Sequence, residues 1–181
     1  MSNRRRLLGL AAVLMLVAGC GQSAKSVNPN TAEVSPAGDI PDNQVFVAYR
    51  APGTGFSVKV PEGWGRSTTG GAVTFSDKLN SIRLEEHKAG APPSAASVKG
   101  TALPKGAHVS TVDRRSGKAV RITYLAAAKK DPVTGKTRTN AVERYLFFHN
   151  GREAVVTLSG PKGADNVDPW KIVTDSLRWV G

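Results

Sequence analysis

The sequence predicts an α+β domain: an antiparallel β-sheet flanked by helices, with a C-terminal amphipathic helix packed on the sheet. Three observations predict it. Strand-like segments, alternating apolar and polar or rich in β-branched and aromatic residues, recur from Gly55 to Ser159. Two of the longest meet at Asn150-Gly151, the dipeptide best suited to a two-residue type I′ hairpin because both central positions need positive φ. The chain then closes on apolar residues at three- and four-residue spacing, the pattern of one helix face.

Taken in order, Gly55-Phe56-Ser57-Val58-Lys59-Val60 alternates as a strand with one buried face does, and Pro61-Glu62-Gly63 ends it. Ala72 to Ser76 and Ser81 to His87 read as the arms of a hairpin, with Ile82 and Leu84 on one side and Arg83 and Glu85 on the other. Ser94 to Leu103 carries the Ser and Ala of a short helix, interrupted by Gly100. The strongest strand patterns are Lys118 to Ala128, Thr139 to His149 and Arg152 to Ser159, the first two joined by a turn at Asp131-Pro132-Val133-Thr134-Gly135. Tyr145, Phe147, Phe148, Val155 and Val156 spread apolar side chains over both faces, which predicts a sheet covered on both sides. In the closing helix Asp168 is the expected cap, Pro169 suits the first helical position, and Val167 is expected to pack on Ile172 as a staple. Trp170, Val173, Leu177 and Val180 then form the stripe that docks on the sheet.

Two stretches carry a family resemblance. Gly55-Phe56-Ser57-Val58-Lys59-Val60-Pro61-Glu62-Gly63-Trp64 resembles the opening of PsbP-like domains, and Val167-Asp168-Pro169-Trp170-Lys171-Ile172-Val173-Thr174-Asp175-Ser176-Leu177-Arg178-Trp179 is similar to their closing helix. The resemblance covers most of residues 44–181 and implies an antiparallel sheet between helices, as also in Lpq-type lipoproteins of actinobacteria. It implies an accessory or binding role. No catalytic residue, metal or photosystem role is carried over, because the matched positions are strand, turn and helix packing.

The N-terminal part is of another kind. Residues 1–19 read as a bacterial export signal: Arg4, Arg5 and Arg6 precede an uncharged apolar run from Leu7 to Ala18. Twelve residues are too few to span a bilayer, which takes about 20. The run ends in Val17-Ala18-Gly19-Cys20, which resembles the lipobox of bacterial lipoproteins. The resemblance implies cleavage before Cys20, the only cysteine of the chain, and a diacylglyceryl group with palmitate-type chains on its sulfur. Two acyl chains hold a protein stably on a membrane where one holds it marginally. No resolving Cys and no neighbouring cation favour a redox role for the thiol. Asn3-Arg4-Arg5-Arg6-Leu7-Leu8 also partly matches a twin-arginine signal, so the sequence leaves the export route open.

Residues 20–43 are rich in Ser, Asn, Pro, Ala and Gly, lack aromatic residues, and read as the lipidated Cys and a flexible tether with a reach on the order of 25 Å. All eleven aromatic residues lie from Phe46 to Trp179, which marks residues 44–181 as the folding unit. Hydrophobic residues at 40% and charged residues at 22% fit one globular domain and exclude both a multi-span membrane protein and a wholly disordered chain.

Chemistry is sparse. His87, His108 and His149 are each solitary, with no HExxH or His-x-His spacing to hold a metal, and read as strand-end residues. No Gly-x-Ser-x-Gly is present, and Ser159-Gly160 lacks the preceding Gly-x of a nucleophile elbow. Gly135-Lys136-Thr137 mimics the end of a phosphate loop, but Lys130 stands where its first Gly belongs. Gly53-Thr54-Gly55 runs into a strand rather than a helix, unlike a dinucleotide fingerprint. No cofactor is expected.

Charge is the one surface feature above background. Net charge is +11, and the stretch from Arg114 to Arg152 holds ten basic and two acidic residues. Lys129, Lys130, Lys136 and Arg138 surround the turn at Asp131 to Gly135 and form a basic tip, suited to anionic lipid or envelope polymer at about 1 kcal/mol per residue near a charged surface. Nucleic acid is not expected for an exported domain.

The expected function is therefore that of a lipid-anchored protein on the extracytoplasmic face of the cell membrane. Cys20 makes the membrane attachment, and the domain serves as a non-catalytic accessory or binding module for lipid, polymer or a partner protein. The alternatives are an envelope enzyme whose site is assembled from separated residues, and an electrostatic binder working through the basic hairpin.

Overall fold

Pairing follows the segments richest in β-branched and aromatic residues. The computed structural model describes residues 36–180. In chain order these form β1 (Phe46–Arg50), β2 (Phe56–Pro61), β3 (Gly65–Thr69), β4 (Ala72–Ser76), β5 (Ser81–Lys88), α1 (Ala95–Lys99), β6 (His108–Arg114), β7 (Gly117–Ala127), β8 (Thr139–His149), β9 (Arg152–Pro161), α2 (Val167–Asp175) and β10 (Arg178–Trp179). One sheet runs β3-β4-β5-β9-β8-β7-β6 and a smaller one runs β1-β2-β10, with antiparallel pairing throughout. The expected antiparallel sheet is present. Its helical complement is smaller than an α+β reading implies, five residues in α1 and nine in α2.

The β8–β9 hairpin sets the centre of the large sheet. Asn150 and Gly151 take φ of 46° and 75°, as a type I′ turn requires, and the register follows with His149 opposite Arg152 and Tyr145 opposite Val156. Because the side-chain period of a strand is two, that register decides which residues share a face.

Phe147 and Leu146 show the result. Tyr145, Phe147, Ala154, Val156, Leu158, Ile82 and Leu84 face one way and meet Phe56, Val58 and Val60 of β2 with Trp170, Val173 and Leu177 in a single buried cluster. Ala154, Val156, Leu158 and Leu177 are wholly inaccessible there. Leu146, on the opposite face, joins a smaller cluster in which Val98 of α1 packs with Val109, Val120 and Ile122. Burying a large apolar side chain contributes about 1.5–3 kcal/mol, so the first cluster carries most of the apolar stabilisation. Both clusters lie wholly within the compact unit Val34–Gly181, which thus contains the core it needs to fold by itself.

Gly55 of the Gly-Phe-Ser opening has a packing reason. A Cβ there would collide with the Arg152 guanidinium, while its N–H donates to Glu86 Oε2 at 2.7 Å. Arg152 in turn reaches Glu86 Oε1 at 3.4 Å, so the small sheet's second strand starts against a fixed ion pair of the large one.

The C-terminal element departs from expectation in three ways. Asn166, not Asp168, is the N-cap, and it makes no side-chain cap bond because its amide is engaged elsewhere. Asn166 Oδ1 accepts from Ile40 N at 2.8 Å, and Nδ2 donates to Asn80 Oδ1 and to Gly38 O, both at 3.0 Å. The Val167–Ile172 staple is not formed, since Val167 is 72% and Ile172 43% exposed. The helix also stops at Asp175: Ser176 Oγ donates to Val173 O, and the chain straightens into β10 beside β2. Leu177 and Val180 therefore lie beyond the helix, Leu177 buried and Val180 tied by its N–H to Gly55 O at 2.7 Å.

The same asparagines act on the chain before the domain. Ile40 is 4% exposed within the main cluster, and Asp39 Oδ1 accepts from Asp165 N at 2.8 Å. Residues 38–40, which composition places in the tether, thus lie against the domain, held by the buried Ile40 side chain and the Asn80 and Asn166 amides. The signal of residues 1–19, Cys20 and the tether up to residue 35 fall outside the described residues. Among the described residues no helix is long and apolar enough to cross a membrane.

Candidate binding surfaces

The basic tip is the β7–β8 connection, residues 128–138. Asp131 shapes it. Its Oδ1 accepts from Val133 N at 2.9 Å and Thr134 N at 2.7 Å, and its carbonyl accepts from Gly135 N at 2.9 Å. These backbone donors, Thr134 first, hold the Asp131 carboxyl below its ordinary value. Lys129, Lys130, Lys136 and Arg138 are all exposed on this loop, and Val133 at its apex is 91% exposed. The loop therefore presents four cations around a projecting apolar residue.

A second charged group is internal. Arg114, last in β6, donates from Nη2 to Tyr145 OH and from Nε to Thr174 Oγ1 of α2, each at 3.0 Å. Tyr145 OH donates to Glu143 Oε2 at 2.5 Å, and Arg121 Nη1 lies 3.7 Å from Glu143 Oε1. Burial first, and then the Glu143 carboxylate that accepts its proton, raise the Tyr145 phenol above the ordinary tyrosine value. The network ties α2 to the sheet through the Arg114 bonds to Tyr145 and Thr174, with Arg121 Nε buried in it without a hydrogen-bond partner, and in that role it is structural.

Among the described residues, two clefts stand out on the surface. The larger, about 860 Å³, runs between β1–β2 and α2 and mixes charges of both signs, Lys59, Arg115, Lys171 and Arg178 with Asp168 and Asp175. The smaller, about 440 Å³, lies between residues 91–104 and the opposite face of the large sheet. Its floor is Ile122, Tyr124 and Leu146, its roof includes Val98, Leu103 and Pro92, and its polar groups include Arg144 and Glu153. Burial raises the Glu153 carboxyl, and the charge of His87 opposes the shift from the next strand, where the two residues are direct partners.

Sequence reasoning did not find this cleft. A signal was present: Arg144 and Glu153 are charged residues inside strongly apolar strands, and the Asn-Gly register puts both on the face of Leu146. The three histidines sit at or near strand ends and are exposed, with His149 stacked on Trp179 at 5.4 Å. Among the described residues no three acidic, His or Cys side chains gather as metal ligands.

No protein-family model and no curated protein sequence matches the chain. Among solved structures it is similar to a chain from Bacteroides thetaiotaomicron determined at 1.50 Å, with 14% identity, a TM-score of 0.53, and coverage of 74% of this chain and 48% of that one. This chain thus spans about half the length of that relative. The Ran-binding protein Mog1p of Saccharomyces cerevisiae aligns with 10% identity over 76% of this chain and 96% of its own, at a TM-score of 0.46. The Bacteroides likeness shows a shared fold and nothing beyond it.

Proposed function

We propose that the chain is a lipid-anchored protein of the extracytoplasmic membrane face whose PsbP-like domain, a sheet between helices, works as a non-catalytic binding module of the cell envelope. The observation that carries the reading is Cys20: the only cysteine stands directly after small residues that end a short apolar run behind three arginines. The domain's exposed features fit a binding role, since they comprise a basic loop and two open clefts. Replacing Cys20 with Ser tests it. The wild-type protein is expected in the membrane fraction, extractable by detergent, and the variant is expected to lose acylation and processing at that site. A wild-type protein recovered soluble after export contradicts the anchor.

A second reading draws on Lys129, Lys130, Lys136, Arg138 and the projecting Val133: the loop docks on anionic lipid or envelope polymer. It places contact at the tip farthest along the β7–β8 hairpin.

A further inference from the structure

We infer that the smaller cleft, beneath residues 91–104, is a binding site for an aliphatic carboxylate whose anionic end Arg144 receives. This inference builds on the binding-module reading and supplies its ligand class, but it is independent of the anchor at Cys20. Three features of the cleft point to that chemistry.

The first is its size and lining. About 440 Å³ is within the range of small-molecule sites, and the wall is mostly aliphatic or aromatic: Val98, Leu103, Ile122, Tyr124 and Leu146. Leu146 and Tyr124 stand only partly covered in a face whose neighbours Val120 and Ile122 are buried. A ligand over them completes a layer that α1, with five residues, is too short to close.

The second is the guanidinium. Arg144 Nε donates to Thr157 Oγ1 at 3.3 Å, which fixes the side chain, and among the described residues Arg144 forms no salt bridge. Its terminal nitrogens are thus available, and a carboxylate matches their fork. Among the described residues the Tyr124 hydroxyl likewise has no hydrogen-bond partner, so a donor is available on the neighbouring strand, where Tyr124 faces Val142.

The third is the acid at the other end. On β8 the face runs Arg144, Leu146, Phe148, and Glu153 sits opposite Phe148 on β9. Four residues of strand separate the two charged positions by roughly 13 Å. A carboxylate held at Arg144 sends its alkyl chain over Leu146 toward Glu153. A second carboxylate at the far end of a chain of that length meets the acid instead.

Titration of dodecanoate into the unit 34–181, followed by backbone NMR shifts, tests the site, with dodecanol and dodecanedioate as comparison probes. Dodecanoate is expected to bind and to shift Val98, Ile122 and Leu146. Dodecanol and dodecanedioate are expected to bind at least tenfold more weakly. Arg144→Gln is expected to weaken dodecanoate about tenfold, while Ala102→Trp, which fills the cleft from its rim, is expected to abolish binding and leave the melting temperature unchanged. Absence of binding, shifts confined to the cleft beside α2, or equal affinity for dodecanoate and dodecanol overturns the inference. So does an Arg144→Gln variant that is folded by its NMR spectrum and binds like wild type. Each of these outcomes leaves the membrane-fraction test of Cys20 unaffected, so the two failures are told apart.

Discussion

The two faces of the large sheet solve the same problem differently. The face under α2 and the small sheet is sealed by a cluster that includes Phe56, Tyr145, Phe147, Trp170 and Leu177, and its charged groups are paired internally through Arg114, Tyr145 and Glu143. The face under residues 91–104 carries a smaller cluster of four buried apolar residues, Val98, Val109, Val120 and Ile122, and leaves Leu146, Tyr124 and Arg144 beside an open cleft. Apolar stabilisation is concentrated on the first face, and the proposed binding site lies on the second. A binding face needs unfilled space and unpaired donors, and the sealed face supplies the free energy that lets the other go incomplete.

Substitutions can break that contrast. The largest effect is expected on the sealed face: Phe147→Ala, at a site 1% exposed, is expected to lose about 3–5 kcal/mol in urea unfolding. Val98→Ala, across the sheet, is expected to lose only about 1–2 kcal/mol. Comparable losses at the two positions would refute the division.

Next in size is Tyr145→Phe. The ring is retained, but Arg114 and Glu143 lose a shared partner, and a cost of about 1–3 kcal/mol is expected. The raised phenol adds a pH signature. The folded state holds the Tyr145 proton more tightly than the unfolded chain, so the associated stability is full below the ordinary tyrosine pKa and is lost as the pH rises through the folded value. The wild type is expected to weaken on the alkaline side of pH 10 more steeply than the Phe variant.

A smaller effect is expected at the hairpin that sets the register. Gly151→Ala meets only ordinary contact with Ala89 O, but φ of 75° strains any Cβ, so a loss of about 1 kcal/mol is expected.

The smallest sharpens the open face. Glu153 has a raised carboxyl, so its contribution to stability is full below the ordinary glutamate pKa and lost as the pH rises through the folded value. At neutral pH the ionised side chain is a net cost. Glu153→Gln is therefore expected to raise the urea midpoint slightly at pH 7 and to leave it unchanged near pH 4.

Legibility in the sequence follows the same division. Strands β2, β4, β5, β7, β8 and β9 announce themselves through alternation, apolar density and the Asn-Gly turn, all local signals. The edge strand β3 is exposed along its length and β10 has two residues, so neither has a periodicity to read. The C-terminal helix was readable as an apolar stripe, but its end was not, because Leu177 keeps helical spacing while β2 draws the backbone into a strand. Asn166 looks like an ordinary turn residue, and only the fold brings Asn80 and Gly38 to its amide. The four basic residues of the tip lie close in sequence and were found from it. The cleft's Arg144 and Glu153 needed the register of β8 on β9 before they shared a face.

The reading of the chain as an anchored binding module is tested most directly by the mass of its N-terminal peptide, taken from the native membrane after detergent extraction and proteolysis. The account predicts a peptide that begins at Cys20 and carries a diacylglyceryl mass on that residue. A peptide that begins elsewhere, or a Cys20 with an unmodified thiol, contradicts it.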